Sequence, residues 1–193
     1  MGVFDSLVEA DHKLFFVLND LHQPWLDVTM TALSNSLFWI PLYAWLIYLI
    51  YKKYGSGTWI ILLCTVGLII FSDQTANVFK ALVQRYRPTH NPTFAQLVHT
   101  VNDYRGGTYG FFSGHAANAF ALVMFVLKLL KPTTKYFKFI LLAYACLTSY
   151  SRIYLGVHYP ADILVGALCG IGLGFLFFNF TKVLLEKWNI SKQ

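Results

Sequence analysis

Apolar positions dominate this chain, and their spacing divides it into helices. Near the N-terminus Phe4, Leu7, Val8, Leu14, Phe15 and Leu18 recur at helical intervals, with Asp5, Glu9, Asp11 and Lys13 between them. That pattern predicts an amphipathic helix lying at a membrane surface. A second short segment runs from Pro24 to about Ser36. Five apolar stretches follow: Leu37–Tyr51, Thr58–Phe71 continuing as a more polar helix to about Gln84, Ala116–Leu130, Phe137–Ser149 and Ile163–Val183. Several fall short of the ~20 residues that cross a bilayer. Polar flanking turns and snorkelling lysines make up the difference. The pattern therefore predicts an all-α, polytopic membrane bundle of about five transmembrane helices plus the N-terminal interfacial helix. We read residues 1–193 as one domain, with 1–36 interfacial and 37–193 the transmembrane core.

Composition agrees. Of 193 residues, 56% are hydrophobic and only 12% charged, which excludes intrinsic disorder and argues against an ordinary soluble domain. The formal net charge of +6 does not mark a nucleic-acid binder, because the charges are sorted by side. If the five stretches span, Lys52, Lys53, Lys128, Lys131, Lys135, Lys138, Lys182, Lys187 and Lys192 share one face. Eight of the nine acids fall on the other. The positive-inside rule puts the lysines and the C-terminus in the cytoplasm. The polar stretch from Pro88 to Ser113, too long for a passive connector, then faces the periplasm or exterior of a cell (inner) membrane. Asn189-Ile190-Ser191 matches a glycosylation acceptor but falls on the cytoplasmic side and is set aside. The N-terminus lacks the basic start and apolar core of a signal peptide. Cys64, Cys146 and Cys169 are scattered through apolar runs and read as packing residues, not as a disulfide or zinc framework. Gly166, Gly170 and Gly174 form a small-residue stripe on the last helix, read as internal packing.

Ionisable residues at membrane depth are costly and mark function. Asp73, Asn77, Lys80, Gln84 and Arg87 follow steps of four and three, which predicts one polar helix face ended by Pro88. Lys80 and Arg87 can then reach one anion. Next, Tyr109-Gly110-Phe111-Phe112-Ser113-Gly114-His115 is a turn that opens a helix, whose N-terminal N–H groups bind anions. Ser113 can cap or donate there, and His115 is placed for proton transfer. In the third segment His158 and Asp162 are one helical turn apart, so the carboxylate can fix the imidazole tautomer and leave a nucleophilic nitrogen. Arg152 adds a third cation, suited to bidentate phosphate binding. Tyr104, Arg105 and Tyr109 are candidates for headgroup contact or simple loop packing. All three segments fall on the outward side. No serine-hydrolase elbow, Walker lysine loop or metal-ligand cluster is present in the sequence. The set describes metal-independent phosphoryl transfer to a histidine.

These segments, KALVQRYRP (Lys80 to Pro88), FSGH (Phe112 to His115) and SRIYLGVHYPAD (Ser151 to Asp162), resemble the type 2 phosphatidic acid phosphatase family, within the acid phosphatase/vanadium haloperoxidase superfamily. One position departs: Phe112 stands where the family has proline. The resemblance implies a helical bundle without metal or cofactor. It implies that His158 attacks phosphorus, Asp162 orients it and His115 protonates the leaving oxygen. Lys80, Arg87, Arg152, Ser113 and the Gly114 N–H would hold the phosphoryl oxygens. Asp73 is our own addition, as a partner for Lys80 or in ordinary helix pairing. The expected activity is that of a membrane lipid phosphatase. Candidate substrates are undecaprenyl diphosphate or lipid A phosphate, then phosphatidylglycerophosphate or phosphatidic acid. A vanadium-dependent haloperoxidase or a non-catalytic lipid binder are the rival classes. The sequence is silent on oligomeric state.

Overall fold

The computed structural model describes residues 2–132 and 134–188; the Asn189–Ser191 motif and Lys192 lie outside the described residues. Among the described residues seven α-helices follow in order: α1 (Val3–Asn19), α2 (Pro24–Ser34), α3 (Ile40–Tyr54), α4 (Thr58–Val83), α5 (Gly114–Leu130), α6 (Lys135–Tyr154) and α7 (Pro160–Lys187). Among the described residues no strand forms; one isolated bridge joins Tyr86 to Tyr109. The five apolar stretches became α3 to α7. Two helical stretches, Ser36–Val83 and Pro160–Lys187, are long and apolar enough to cross a membrane, while Gly114–Leu130 is apolar but shorter. Large apolar side chains stay exposed around the bundle, among them Leu63, Val66, Ile70, Leu164, Leu168 and Leu176. That belt suits hydrocarbon, not water.

The helix ends have local causes. Gly55, at φ 49°, terminates α3, and Lys131, at φ 47°, terminates α5 just before Pro132. The last carbonyls of α5 accept from α3: Lys53 Nζ donates to Leu129 O and Leu130 O, each at 2.8 Å, and Tyr54 Oη donates to Leu129 O at 2.9 Å. The end of α4 differs from expectation. It stops at Val83, with Gln84 left-handed at φ 51°, so Arg87 does not continue the polar helix face that carries Lys80. Arg87 is extended because the following Pro88 disfavours the helical region. Backbone bonds from Arg87 N to Thr108 O (3.0 Å) and Gly110 N to Arg85 O (2.9 Å) then zip the two ends of the long loop together.

The α5–α7 pair forms the axis of the bundle. A Cβ on Gly166 would lie 2.6 Å from Ser113 O, and those on Gly170 and Gly174 would collide with Ala117 O and Ala121 O. The glycine stripe is therefore internal packing, and it brings the N-termini of both helices to one place. The first helix is more than a surface float. Phe15 is fully buried against Val98, Ile153 and Tyr159, and buried Asn19 donates to Tyr154 O at 2.8 Å and Ile153 O at 3.1 Å. Of its large apolar residues, Val3, Leu7, Leu14 and Val17 are exposed. Cys64 is buried and Cys169 partly so, but Cys146 is exposed on α6 beside the likewise exposed Leu147. The packing role expected of Cys146 is not realised, because that face of α6 is left uncovered among the described residues.

Candidate active site

The site is assembled around the start of α7. Pro160 takes the first helical position and Tyr159 the N-cap. Asp162, fully buried, sits in the first turn, where the helix dipole favours a carboxylate. Its Oδ2 accepts from the Tyr159 N–H at 3.0 Å and faces His158 Nδ1 at 3.4 Å. Its Oδ1 accepts from Arg85 Nη1 at 3.0 Å. His158 is 2% exposed. Burial drives its pKa down to about 4, Asp162 opposes that shift, and Arg87 and Arg152 add to it. At neutral pH the imidazole is uncharged. With its proton on Nδ1 toward Asp162, Nε2 is the nitrogen left to react.

Three cations converge on this pair from different elements. Arg152 ends α6 and is 3% exposed; its Nη1 donates to Ser34 Oγ and its Nη2 to Tyr104 Oη at 3.0 Å. Its Nε is buried and has no hydrogen-bond partner among the described residues. Arg87, 8% exposed, arrives from the loop with its Nε donating to Tyr109 O at 3.1 Å. Lys80, in the last turn of α4, lies beside Gly114: a Cβ there would sit 3.9 Å from Lys80 Nζ. Ser113 is the N-cap of α5, its Oγ accepting from Ala116 N at 3.4 Å, while its own N–H donates to Asp162 O at 3.1 Å. One backbone bond thus ties the starts of α5 and α7. The Phe112 departure leaves this cap intact; the ring is fully buried, 5.3 Å centroid to centroid from Phe79.

His115 occupies the first turn of α5, within electrostatic reach of Arg152, His158, Lys80 and Arg87. It lines a cavity of about 530 Å³ shared with Asp73, Asn118, Trp39, Leu46 and Val126, so the cavity runs from the site into the apolar bundle. Asp73 pairs two helices and also acts electrostatically on Lys80. Its Oδ1 accepts from Asn118 Nδ2 at 2.8 Å, pairing α4 with α5. Among the described residues no ion pair joins it to Lys80, although both flank Gly114. Of the loop residues, Tyr104 reaches Arg152, Arg105 gives its carbonyl to Thr89 Oγ1 at 2.9 Å, and Tyr109 packs on Tyr86 with centroids 5.5 Å apart. Among the described residues no group of three His, Cys, Asp or Glu side chains is placed to hold a metal ion.

Several residues at the site had no sequence signal. Arg85 and Asp11 form an ion pair at 2.6 Å, and Asp11 Oδ1 accepts from Ala161 N at 2.8 Å. Ser34 holds Arg152 from the end of α2. Gly110 lies in the turn that opens α5, and space is what requires glycine there. A Cβ there would meet Arg87 Cγ and Asp162 Oδ2, each at 3.1 Å, and His158 Nδ1 at 3.5 Å.

The chain is similar to known proteins. The chain is 37% identical over 192 residues to the lipid A 4'-phosphatase of Bacteroides thetaiotaomicron, covering 96% of this chain and 83% of that protein. It is 32% identical over 186 residues to the lipid A 4'-phosphatase of Porphyromonas gingivalis, covering 95% and 78%. The transmembrane PAP2-type phosphatidylglycerolphosphate phosphatase of Bacillus subtilis superposes with a TM-score of 0.69 at 28% identity, over 92% of this chain and 87% of that one. The PAP2 superfamily pattern itself matches residues 57–185, from the end of the α3–α4 turn through almost all of α7. That span holds every cation and both histidines of the site, and by it the chain belongs to the PAP2 superfamily.

Proposed function

We propose that this chain removes the phosphate of a lipid A-type phosphomonoester at the outer leaflet of the cytoplasmic membrane. The observation that carries the reading is the uncharged His158 imidazole held against the Asp162 carboxylate and set among Arg87, Arg152 and Lys80, with a largely apolar cavity leading away past His115. Two relatives that align over nearly the whole chain are lipid A 4'-phosphatases, which favours that lipid over the others. Electrostatic stabilisation of the phosphoryl oxygens supplies the largest rate term. Lys80, Arg87 and Arg152 hold those oxygens together with Ser113 and the N–H of Gly114. The His158 Nε2 lone pair attacks phosphorus; the P–O bond to the lipid breaks, and His115 protonates the departing oxygen. Water then attacks the phosphohistidine with His115 as base, releasing inorganic phosphate and regenerating His158. No metal or cofactor takes part.

We place α3 to α7 across the bilayer, with the loop between α4 and α5 outside and the lysine-rich ends and C-terminus in the cytoplasm. The substrate headgroup then enters from the outer leaflet while its acyl chains remain in hydrocarbon or enter the cavity. The test is phosphate release by detergent-purified protein in EDTA from lipid A, undecaprenyl diphosphate, phosphatidylglycerophosphate and phosphatidic acid, with His158→Ala as blank. Lipid A is expected to be turned over fastest. Preference for phosphatidylglycerophosphate would transfer the substrate assignment to the activity named for the Bacillus subtilis structure. Activity lost on chelation and restored by a divalent ion would refute the metal-free mechanism. Vanadate-dependent bromination would favour the haloperoxidase class, and cellular function surviving His158→Ala would favour a lipid binder.

A further inference from the structure

We infer that Arg85 and Asp11 are positioning residues, a strut from the N-terminal helix that fixes the orientation and the basicity of the His158–Asp162 pair. The inference rests on His158 being the nucleophile. A carboxylate held only through Oδ2 can pivot about its own axis. Asp162 Oδ2 carries the contacts to His158 Nδ1 and the Tyr159 N–H, and Oδ1 is pinned by Arg85 Nη1 at 3.0 Å. Arg85 is itself immobilised from three directions. Its Nη2 pairs with Asp11 Oδ2 at 2.6 Å, its guanidinium stacks 4.0 Å above the Tyr159 ring, and its carbonyl accepts from Gly110 N at 2.9 Å. Asp11 closes the circuit by accepting from Ala161 N, in the first turn of α7, at 2.8 Å. The Arg85 and Asp11 side chains are only 21% and 11% accessible, so solvent screens the pair weakly. Both terminal nitrogens of Arg85 are engaged by carboxylates. It is therefore a poor phosphate ligand, unlike Arg152 with its unpartnered Nε.

The charge matters as well as the geometry. Arg85 draws on the Asp162 carboxylate from the side opposite His158, which weakens the hold of Asp162 on an imidazolium proton. The other ionisable groups around the pair are Arg87 from the loop, Arg152 from α6, Lys80 from α4, His115 from α5, Tyr159 at the start of α7, and Asp11 and His12 from α1. Removing Arg85 deletes the one lysine or arginine that, among the described residues, binds Asp162 directly, so His158 should protonate at higher pH.

The experiment uses the full chain in detergent, with a lipid phosphate substrate and with para-nitrophenyl phosphate. It compares Arg85→Met, Arg85→Lys, Asp11→Asn and the Arg85→Met/Asp11→Asn double variant. Arg85→Met should lower kcat roughly 100-fold with KM within about 3-fold, and raise the acid limb of kcat/KM by about one pH unit. Arg85→Lys keeps the charge but not the fork, so it should recover about tenfold in kcat and return the limb to its wild-type position. Asp11→Asn should cost about 5–10-fold in kcat without raising the limb, and the double variant should be no worse than Arg85→Met alone, as expected of one connected unit. Inhibition by vanadate, a phosphate mimic, should stay within a few-fold throughout, which shows the cradle is folded. A rise in KM alone would make Arg85 a substrate contact and overturn the inference, as would an unmoved kcat and acid limb. If Arg85→Met fails to bind vanadate, Asp11→Asn decides: unchanged kcat there refutes the strut. A wild-type chain no more active than His158→Ala refutes the underlying reading instead.

Discussion

At the scale of single residues, the site depends on a side chain that is absent. Gly110 passes beside Arg87, His158 and Asp162, and even a methyl group would press on Arg87 and Asp162 and touch His158. Gly110→Ala should therefore leave the fold intact yet cut kcat roughly 10–100-fold, because small displacements of reacting groups carry costs of that order; steady-state kinetics beside a melting curve checks it. His158 gives a second residue-scale prediction. Its folded pKa of about 4 lies below that of an ordinary imidazole, so the folded state binds fewer protons than the unfolded chain between roughly pH 4 and 6.5. Stability from this group is fully present above about pH 6.5 and is lost as pH falls through 4. Melting temperature should drop more steeply over that window in the wild type than in His158→Gln. The residues of the candidate site were legible in the sequence because each carries its own chemistry at a fixed local spacing, as His158 and Asp162 do one turn apart. Arg85 was not, because its partners Asp11 and Asp162 lie 74 and 77 positions away and only the fold brings them in.

At the scale of elements, hydrophobic periodicity located all five long helices, since each must present an apolar surface along its whole length. It misplaced the end of α4. Gln84 is a good helix former, and its positive φ is imposed by the pairing of 85–87 with 108–110, a contact that no local pattern announces. The amphipathic pattern of α1 was equally plain, but not that Phe15 and Asn19 would lock it to α6 and α7. The stripe on α7 offers a direct check of element packing. Gly170→Val would drive side-chain carbon into the Ala117 backbone and should destabilise the α5–α7 pair by about 1–3 kcal/mol or more, read as a lowered melting temperature in detergent. Because the same pair sets Ser113 against Asp162, activity should fall before the protein unfolds.

At the scale of the whole molecule, the helices separate a catalytic end from a lysine-rich end. In a cysteine-free background, Thr93→Cys in the long loop should react with a membrane-impermeant thiol reagent in intact cells, whereas Ser56→Cys should react only after lysis; the reverse pattern would invert the topology. The most direct test of the mechanism is to trap its intermediate: mix purified protein with phosphate-labelled lipid substrate, quench in alkali, and map the label by mass spectrometry. The account predicts a phosphoryl group on the peptide containing His158, stable to base and lost in acid, and absent from His158→Ala. Label on another residue, or full turnover by His158→Ala, would contradict it.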